Sequence, residues 1–138
     1  MQKLSLRCAL AAAVILSLTG CVSTSTGGLV VSLKEGGTSA ETRVDDMFFR
    51  QHIDIVECGA IRTDMGFLKA SVLVRNRYGK DFPLQYKFSW FGSDGAEIQA
   101  EGRPWEQKVM HGGEDISLQA VAPEKSAVKF AARLRRVK

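Results

Sequence analysis

The sequence has few cysteines and histidines, which limits the chemistry it can perform. Of 138 residues, three are cysteine and two are histidine. Neither Cys-x-x-Cys nor His-x-x-x-His spacing occurs, so the usual short metal-binding patterns are missing. The glycine pairs Gly27-Gly28 and Gly36-Gly37 lack the following Lys-Ser/Thr of a phosphate-binding loop. We therefore expect no cofactor, no bound metal and no nucleotide site.

The chain also lacks an apolar run long enough to cross a bilayer. The uncharged run 8–18 contains 11 residues, whereas a spanning helix needs about 20. This run follows Lys3 and Arg7 and ends in small residues, which is the pattern of a secretory signal peptide. We predict that residues 1–20 are such a signal and are removed.

The end of this signal indicates a lipid anchor. Leu18-Thr19-Gly20-Cys21 resembles the lipobox of bacterial lipoproteins. In those proteins the signal is cut before the cysteine, whose thiol carries diacylglycerol and whose amine is usually acylated. Two or more acyl chains hold a protein stably on a membrane. Cys21 is therefore predicted to be the lipidated first residue of the mature protein.

Residues 21–28 are predicted to form the lipidated cysteine and a flexible tether, because their small-residue composition is typical of flexible linkers. The seven residues 22–28 reach about 25 Å when fully extended, so the following domain would stay near the bilayer. Val22 stands where an Asp would favour the inner membrane in enteric bacteria. We therefore expect anchoring in the outer membrane, on the periplasmic face, of a Gram-negative bacterium.

The mature chain would have a modest charge and one free thiol. Removing residues 1–20 takes away two basic residues and no acidic one, which lowers the formal net charge from +4 to +2. This charge and the predicted export both disfavour nucleic-acid binding. Cys8 would leave with the signal and Cys21 would carry lipid. Cys58 would then have no intramolecular disulfide partner, and we expect it to be a buried small hydrophobic residue.

From residue 29 onward the apolar residues recur with the period of β-strands. Residues 68–74, 86–90, 116–120 and 128–134 each alternate apolar with polar or small side chains. Ser93-Asp94-Gly95 predicts a tight turn joining strands 84–91 and 96–100. Residues 34–46 are polar and are predicted to form a loop, and the pattern from Met47 onward is assigned to strands.

These features predict an all-β fold for residues 29–138: an immunoglobulin-like antiparallel β-sandwich of about seven or eight short strands. No helical apolar stripe of useful length is present. Tyr86, Phe88 and Trp90 alternate along one strand and are predicted to fill the core.

A longer pattern resembles a known family. Together with the lipobox, the chain resembles the YcfL-like family of small proteobacterial lipoproteins from about Leu29 to Val137. The resemblance rests on Asn76, Pro83-Leu84-x-Tyr86-x-Phe88-x-Trp90-Phe91, Asp94-Gly95, Pro104-Trp105, Gly113-Glu114, Leu118-x-Ala120-x-Ala122-Pro123 and Phe130-x-x-x-Leu134-Arg135. It implies an immunoglobulin-like sandwich of unknown function with no catalytic residue or cofactor. In some enteric bacteria the family's gene neighbours one for a lipoprotein that activates a cell-wall synthase.

The favoured function is a protein-interaction module of the cell envelope, and the neighbouring gene points to a partner in cell-wall synthesis. A sandwich presents loops or an edge strand to partners. The predicted contact residues are Arg75, Arg77, Tyr78 and Lys80 in one loop, with Trp105.

Two other classes of function remain open. The basic C-terminal segment 133–138 is either a solvated strand end or a surface that binds peptidoglycan, lipid A or anionic phospholipid. An enzyme or metal carrier is disfavoured: His52 and Cys58 would stand about 20 Å apart on one strand, and Met110-His111 is only a small group of soft ligands. We therefore predict no catalytic residue.

Overall fold

The computed structural model describes residues 28–137, which form nine strands and one short helix. The predicted signal peptide, Cys21 and nearly all of the predicted tether lie outside these residues. The elements are β1 (Leu29–Lys34), β2 (Glu41–Val44), α1 (Met47–His52), β3 (Ile53–Arg62), β4 (Leu68–Asn76), β5 (Phe82–Phe91), β6 (Glu97–Ile98), β7 (Glu106–Met110), β8 (Asp115–Val121) and β9 (Lys129–Arg136). Within 28–137, no helix has the length and hydrophobicity needed to span a bilayer.

The strands form two antiparallel sheets. The large sheet has the order β2-β1-β9-β5, and β5 is followed along its free edge by both β6 and β7. The small sheet has the order β3-β4-β8. The predicted all-β sandwich is confirmed, with nine strands among the described residues where seven or eight were expected.

The apolar alternation buries one face of each sheet. Leu68, Ala70, Val72 and Val74 of β4 are each 0% exposed. From the large sheet, Trp90 and Phe130 pack with ring centroids 6.3 Å apart. This confirms the predicted core faces, because side chains two residues apart on a strand share one face.

The predicted aromatic plug is confirmed for Phe88 and Trp90, which are 6% and 2% exposed. Tyr86 lies at the margin of the core, where its hydroxyl donates to Glu106 Oε2 at 2.8 Å. Partial burial and this carboxylate together raise the pKa of Tyr86 to about 12. A tyrosine can be half-buried here because its polar end finds a partner at the sheet edge.

Two local assignments from the sequence were wrong. Residues 47–52 form helix α1 where strand was predicted, because Asp46 caps the helix by accepting from the Phe48 amide at 2.7 Å. The capped turn also buries Phe49 completely. Asp46, at the end of the segment predicted to be a loop, is therefore a structural cap.

Strand β2 lies inside the segment 34–46 that was predicted to be a loop. It pairs with β1 from Leu29↔Val44 to Ser32↔Glu41. Its side chains are mostly exposed, so no apolar alternation marks it in the sequence. The backbone ladder with β1 makes it a strand, and only the folded sheet supplies that ladder.

The predicted hairpin of β5 and β6 is confirmed, although β6 has only two residues. Trp90 pairs with Ile98 and Phe91 pairs with Glu97. Gly95 has φ of 81° in the turn, a conformation that glycine adopts without the steric cost of a side chain.

Candidate functional site

The predicted contact residues fall into two groups. Arg75, Arg77, Tyr78 and Lys80 lie where β4 ends and in the 77–81 loop. Trp105 precedes β7, whose other end, Met110, pairs with Phe82 beside that loop. Five residues of extended strand put the two groups about 17 Å apart. The structure therefore does not bring them into one site.

The two arginines of the first group are paired with carboxylates. Arg75 Nε lies 2.8 Å from Asp115 Oδ1, and Arg77 Nε lies 2.7 Å from Asp54 Oδ2. The hydrogen bond to Arg75 lowers the pKa of Asp115 and raises that of Arg75. Such exposed pairs add little stability, but they neutralise most of the positive charge expected of this loop.

Asn76 holds the 77–81 loop in place and is fully buried. Its Nδ2 donates to the carbonyls of Lys80 at 3.2 Å and His111 at 2.9 Å. Its Oδ1 accepts from the Tyr78 amide at 2.8 Å. The Asn76 side chain thus joins this loop to the turn after β7. The sequence pattern included Asn76 but gave no indication of these contacts, which cross 35 residues of chain.

Tyr78 packs into an aromatic cluster with α1. Its ring centroid lies 5.2 Å from that of Phe48 and 4.8 Å from that of His52. Arg136 also contacts this cluster, with Cζ 4.1 Å from the Phe48 centroid. Tyr78 is therefore partly a packing residue, whereas Lys80 is exposed.

Trp105 lies beside two cations of the large sheet. Arg135 Cζ is 3.9 Å and Lys87 Nζ is 5.0 Å from the centroid of its ring. These are cation–π distances, and Trp105 is half-buried beneath them. Arg103, two residues before Trp105, donates to the backbone carbonyls of Phe88, Ile98 and Gln99.

Cys58 is partly buried on β3 and faces the core side of the small sheet. Burial raises its pKa to about 11, so the thiol carries its proton at neutral pH and is a weak nucleophile. His52 ends α1 and is not on the same strand as Cys58, contrary to the sequence interpretation. Within the described chain, no group of three or more His, Cys, Asp or Glu residues could hold a metal ion.

Strand β3 forms one edge of the small sheet and carries exposed apolar side chains. Val56 is 42% and Ile61 is 63% exposed, and Met65 in the turn after β3 is 74% exposed. The pairing with β4 shifts between Ile55 and Glu57, which marks a β-bulge. The sequence pattern does not reveal this edge, because alternation shows which strands form but not which strand lies at an edge.

A second feature that the sequence pattern does not reveal is the hydrogen-bond network of Arg62. Its guanidinium binds both oxygens of Glu35 at 2.7 Å and donates to the carbonyls of Gly66, Lys125 and Ala127. Glu35 accordingly has a lowered pKa, chiefly through this hydrogen bond. Arg62 therefore ties the end of β3 to loops beside both sheets.

These features define a class of small two-sheet β-sandwich with an exposed edge strand and charged outer faces. A family model described as "Protein of unknown function (DUF1425)" matches residues 40–136, and the chain belongs to this family. The structure is similar to that of a DUF1425 family member from Shewanella sp. pv-4, with a TM-score of 0.57 and 26% identity. The alignment covers 83% of this chain and 94% of that one.

A second solved structure, Campylobacter jejuni Cj0090, has the same fold. Its TM-score is 0.53 at 17% identity, and the alignment covers 60% of this chain and 85% of that one. Among proteins with curated descriptions, none matches this chain significantly.

Proposed function

We propose that this protein is a YcfL-like, lipid-anchored and non-enzymatic lipoprotein that acts as a protein-interaction module in the periplasm. Cys21 would anchor it to the periplasmic face of the outer membrane of a Gram-negative bacterium. The lipobox and the preceding signal pattern support the anchor. The protonated thiol of Cys58 supports a function without covalent catalysis.

The observation that carries the interaction role is the edge of β3 over residues 57–62. Edge strands are normally shielded by charge, shortness or bulges. Strand β2 is four residues long with two charged residues, and β7 carries Glu106 and Lys108. Beyond the bulge at Ile55/Glu57, β3 has no charge from Cys58 to Ile61.

The chemistry of this edge indicates the kind of partner. An extended segment of an envelope protein would pair with β3 through backbone hydrogen bonds, as in β-augmentation. Ile61 and Met65 would contact apolar side chains of that segment. The gene neighbourhood noted for YcfL-like proteins favours a partner in cell-wall synthesis.

The test is site-specific photo-crosslinking in cells, with the crosslinking residue at position 61 and, as a control, at position 109. Val109 is 49% exposed on the edge strand β7. We expect one dominant protein adduct from position 61 and none from position 109. The Cys21→Ser variant should be unlipidated by intact mass, should leave the membrane fraction and should lose the adduct.

The identified segment is then titrated against the purified protein and its Ile61→Lys variant. We expect the substitution to weaken binding at least tenfold without lowering the melting temperature, because Ile61 is exposed and an edge lysine opposes strand pairing. Val109→Lys is the matched control and should bind normally. Equal binding by Ile61→Lys would exclude this edge as the site.

A further inference from the structure

The two outer faces of the sandwich differ in charge. Strand alternation places six basic and only two acidic side chains on the outer face of the large sheet. They are Lys34, Arg43, Lys87, Lys129, Arg133 and Arg135 against Glu41 and Glu97. The outer face of the small sheet has two basic and three acidic side chains, namely Lys69, Arg75, Asp54, Glu57 and Asp115. We call the outer face of the large sheet the cationic face.

The centre of the cationic face concentrates like charge. Lys87 of β5 is paired directly with Arg133 of β9, and like charges opposite each other weaken an antiparallel pair. Within 28–137, no carboxylate lies at ion-pair distance from Lys87, Arg133 or Arg135. Folding alone does not favour the direct pairing of Lys87 with Arg133, whereas an external anion would favour it.

Trp105 adds an aromatic ring to the same place. It lies within cation–π distance of Arg135 and Lys87. A half-exposed tryptophan among lysine and arginine side chains is suited to the headgroup level of a membrane, where its ring and its polar N–H are both accommodated.

The N-terminal end of the domain, from which the chain continues to the predicted anchor, lies beside Arg135 of the cationic face. Gly28 precedes β1, and a Cβ there would overlap the carbonyl oxygen of Leu134 and lie 3.6 Å from the Arg135 Cα. The Gly28 carbonyl also accepts from the Asp45 amide at 2.9 Å. The exit point is thus held against Arg135. Gly28 lies seven positions along the chain from Cys21, which limits the distance to the acylated residue to about 25 Å.

We propose that the cationic face, centred on Lys87, Trp105, Arg133 and Arg135, lies on the anionic phospholipid headgroups of the membrane in which Cys21 is anchored. This inference rests on the proposed lipid anchor. It also orients the molecule, because the small sheet and its β3 edge then form the layer directed away from the bilayer. The partner edge would stay accessible while the anchor holds the other layer at the surface.

The test uses the natural tryptophan pair in the lipidated mature protein. Trp90 is buried and Trp105 is half-exposed, and the chain has no other tryptophan. The protein is reconstituted into vesicles that contain acyl-chain-brominated phosphatidylcholine, with or without phosphatidylglycerol. We expect bromine quenching of Trp105 emission only in the phosphatidylglycerol vesicles, and most of it should disappear at high salt, because salt screens headgroup attraction.

The Lys87→Gln/Arg133→Gln variant should lose most of this quenching. It should keep its melting temperature, because it removes a repulsive pair. Lys69→Gln/Lys125→Gln is the matched control, with the same charge change. Lys69 belongs to the small sheet, and Lys125 lies in the loop bound by Arg62 at the end away from Gly28. This control should be quenched like the wild type, and Trp105→Phe should abolish the signal.

Equal quenching in both vesicle types, or none in either, would overturn the inference. So would retention on purified peptidoglycan without a response to phosphatidylglycerol. The intact mass of the same samples shows whether Cys21 is lipidated, and so distinguishes a failure of membrane docking from a failure of lipid anchoring. A lipidated protein without quenching disproves the docking alone, whereas an unlipidated mass disproves the proposed anchor on which it rests.

Discussion

At the scale of single residues, the Asp81–His111 pair makes the clearest prediction of pH dependence. His111 Nδ1 lies 2.9 Å from Asp81 Oδ2, and Asp81 Oδ1 accepts from the Gly112 amide at 3.0 Å. The hydrogen bond between the two side chains raises the pKa of His111 above 6.5 and lowers that of Asp81 below 3.8. At pH values between 3.8 and 6.5, the fold therefore favours the charged forms of both His111 and Asp81.

We predict that Asp81→Asn returns the pKa of His111 towards 6.5, as measured by NMR titration of its imidazole protons. The stabilisation from His111 is present below its unfolded pKa and is lost as pH rises through its raised folded pKa. The stabilisation from Asp81 is lost as pH falls through its lowered pKa. The wild type should thus be more stable than the variant mainly at pH values between the lowered pKa of Asp81 and the raised pKa of His111. A His111 titration unchanged by Asp81→Asn would contradict this assignment.

Asn76 shows how a single residue can organise a surface that the sequence marked as functional. It is fully buried and its amide makes three hydrogen bonds, to the backbone of Tyr78, Lys80 and His111. Buried polar groups are costly unless they are paired. Here the pairing fixes a loop conformation.

At the scale of elements, the free edge of β5 is covered in two pieces. Strand β7 pairs with Phe82–Tyr86 and β6 pairs with Trp90 and Phe91, which leaves a gap at residues 87–89. Arg103 fills this gap by donating from Nη1 to the Phe88 carbonyl at 2.9 Å. A side chain thus replaces a ladder hydrogen bond where the two short strands do not meet.

We predict that Arg103→Met destabilises the protein by about 1–3 kcal/mol, because it leaves a partly buried carbonyl without its donor while keeping the aliphatic stem. Urea unfolding followed by circular dichroism measures this difference. Arg133→Met on the same sheet is the control and should change stability by less than about 0.5 kcal/mol, as for an ordinary surface residue. Equal effects of the two substitutions would show that Arg103 does not seal the edge.

At the scale of the whole molecule, the two sheets are joined by an aromatic core and diverge in surface chemistry. Trp90 is one of the largest fully buried side chains and contacts Phe88 and Phe130. The outer face of the large sheet, by contrast, has an excess of basic side chains, whereas that of the small sheet has a slight excess of acidic ones. One layer therefore suits an anionic membrane surface and the other offers an edge to a protein partner, as proposed above.

We predict that Trp90→Ala costs about 3–5 kcal/mol of unfolding free energy, because it leaves a large cavity between the sheets. Chemical denaturation of both proteins measures the loss. Trp105→Phe should cost much less, since Trp105 lies on the outer face of the large sheet. A cost below about 1 kcal/mol for Trp90→Ala would contradict its place in the core.

The sequence by itself determined which faces of the strands are buried, including Leu68, Val72, Phe88 and Trp90. This is possible because side-chain direction in a strand depends only on position along the chain. The sequence did not predict α1 or β2. Helix α1 depends on the single cap Asp46, and strand β2 depends on its pairing with β1.

Only the tertiary structure decided what the surfaces contain. The pairing of Arg75 and Arg77 with carboxylates removed most of the charge expected of their loop. The meeting of Trp105 with Lys87 and Arg135 created the cationic centre instead. These outcomes depend on strand order and register, which bring together residues far apart in the chain and which a period-two pattern does not encode.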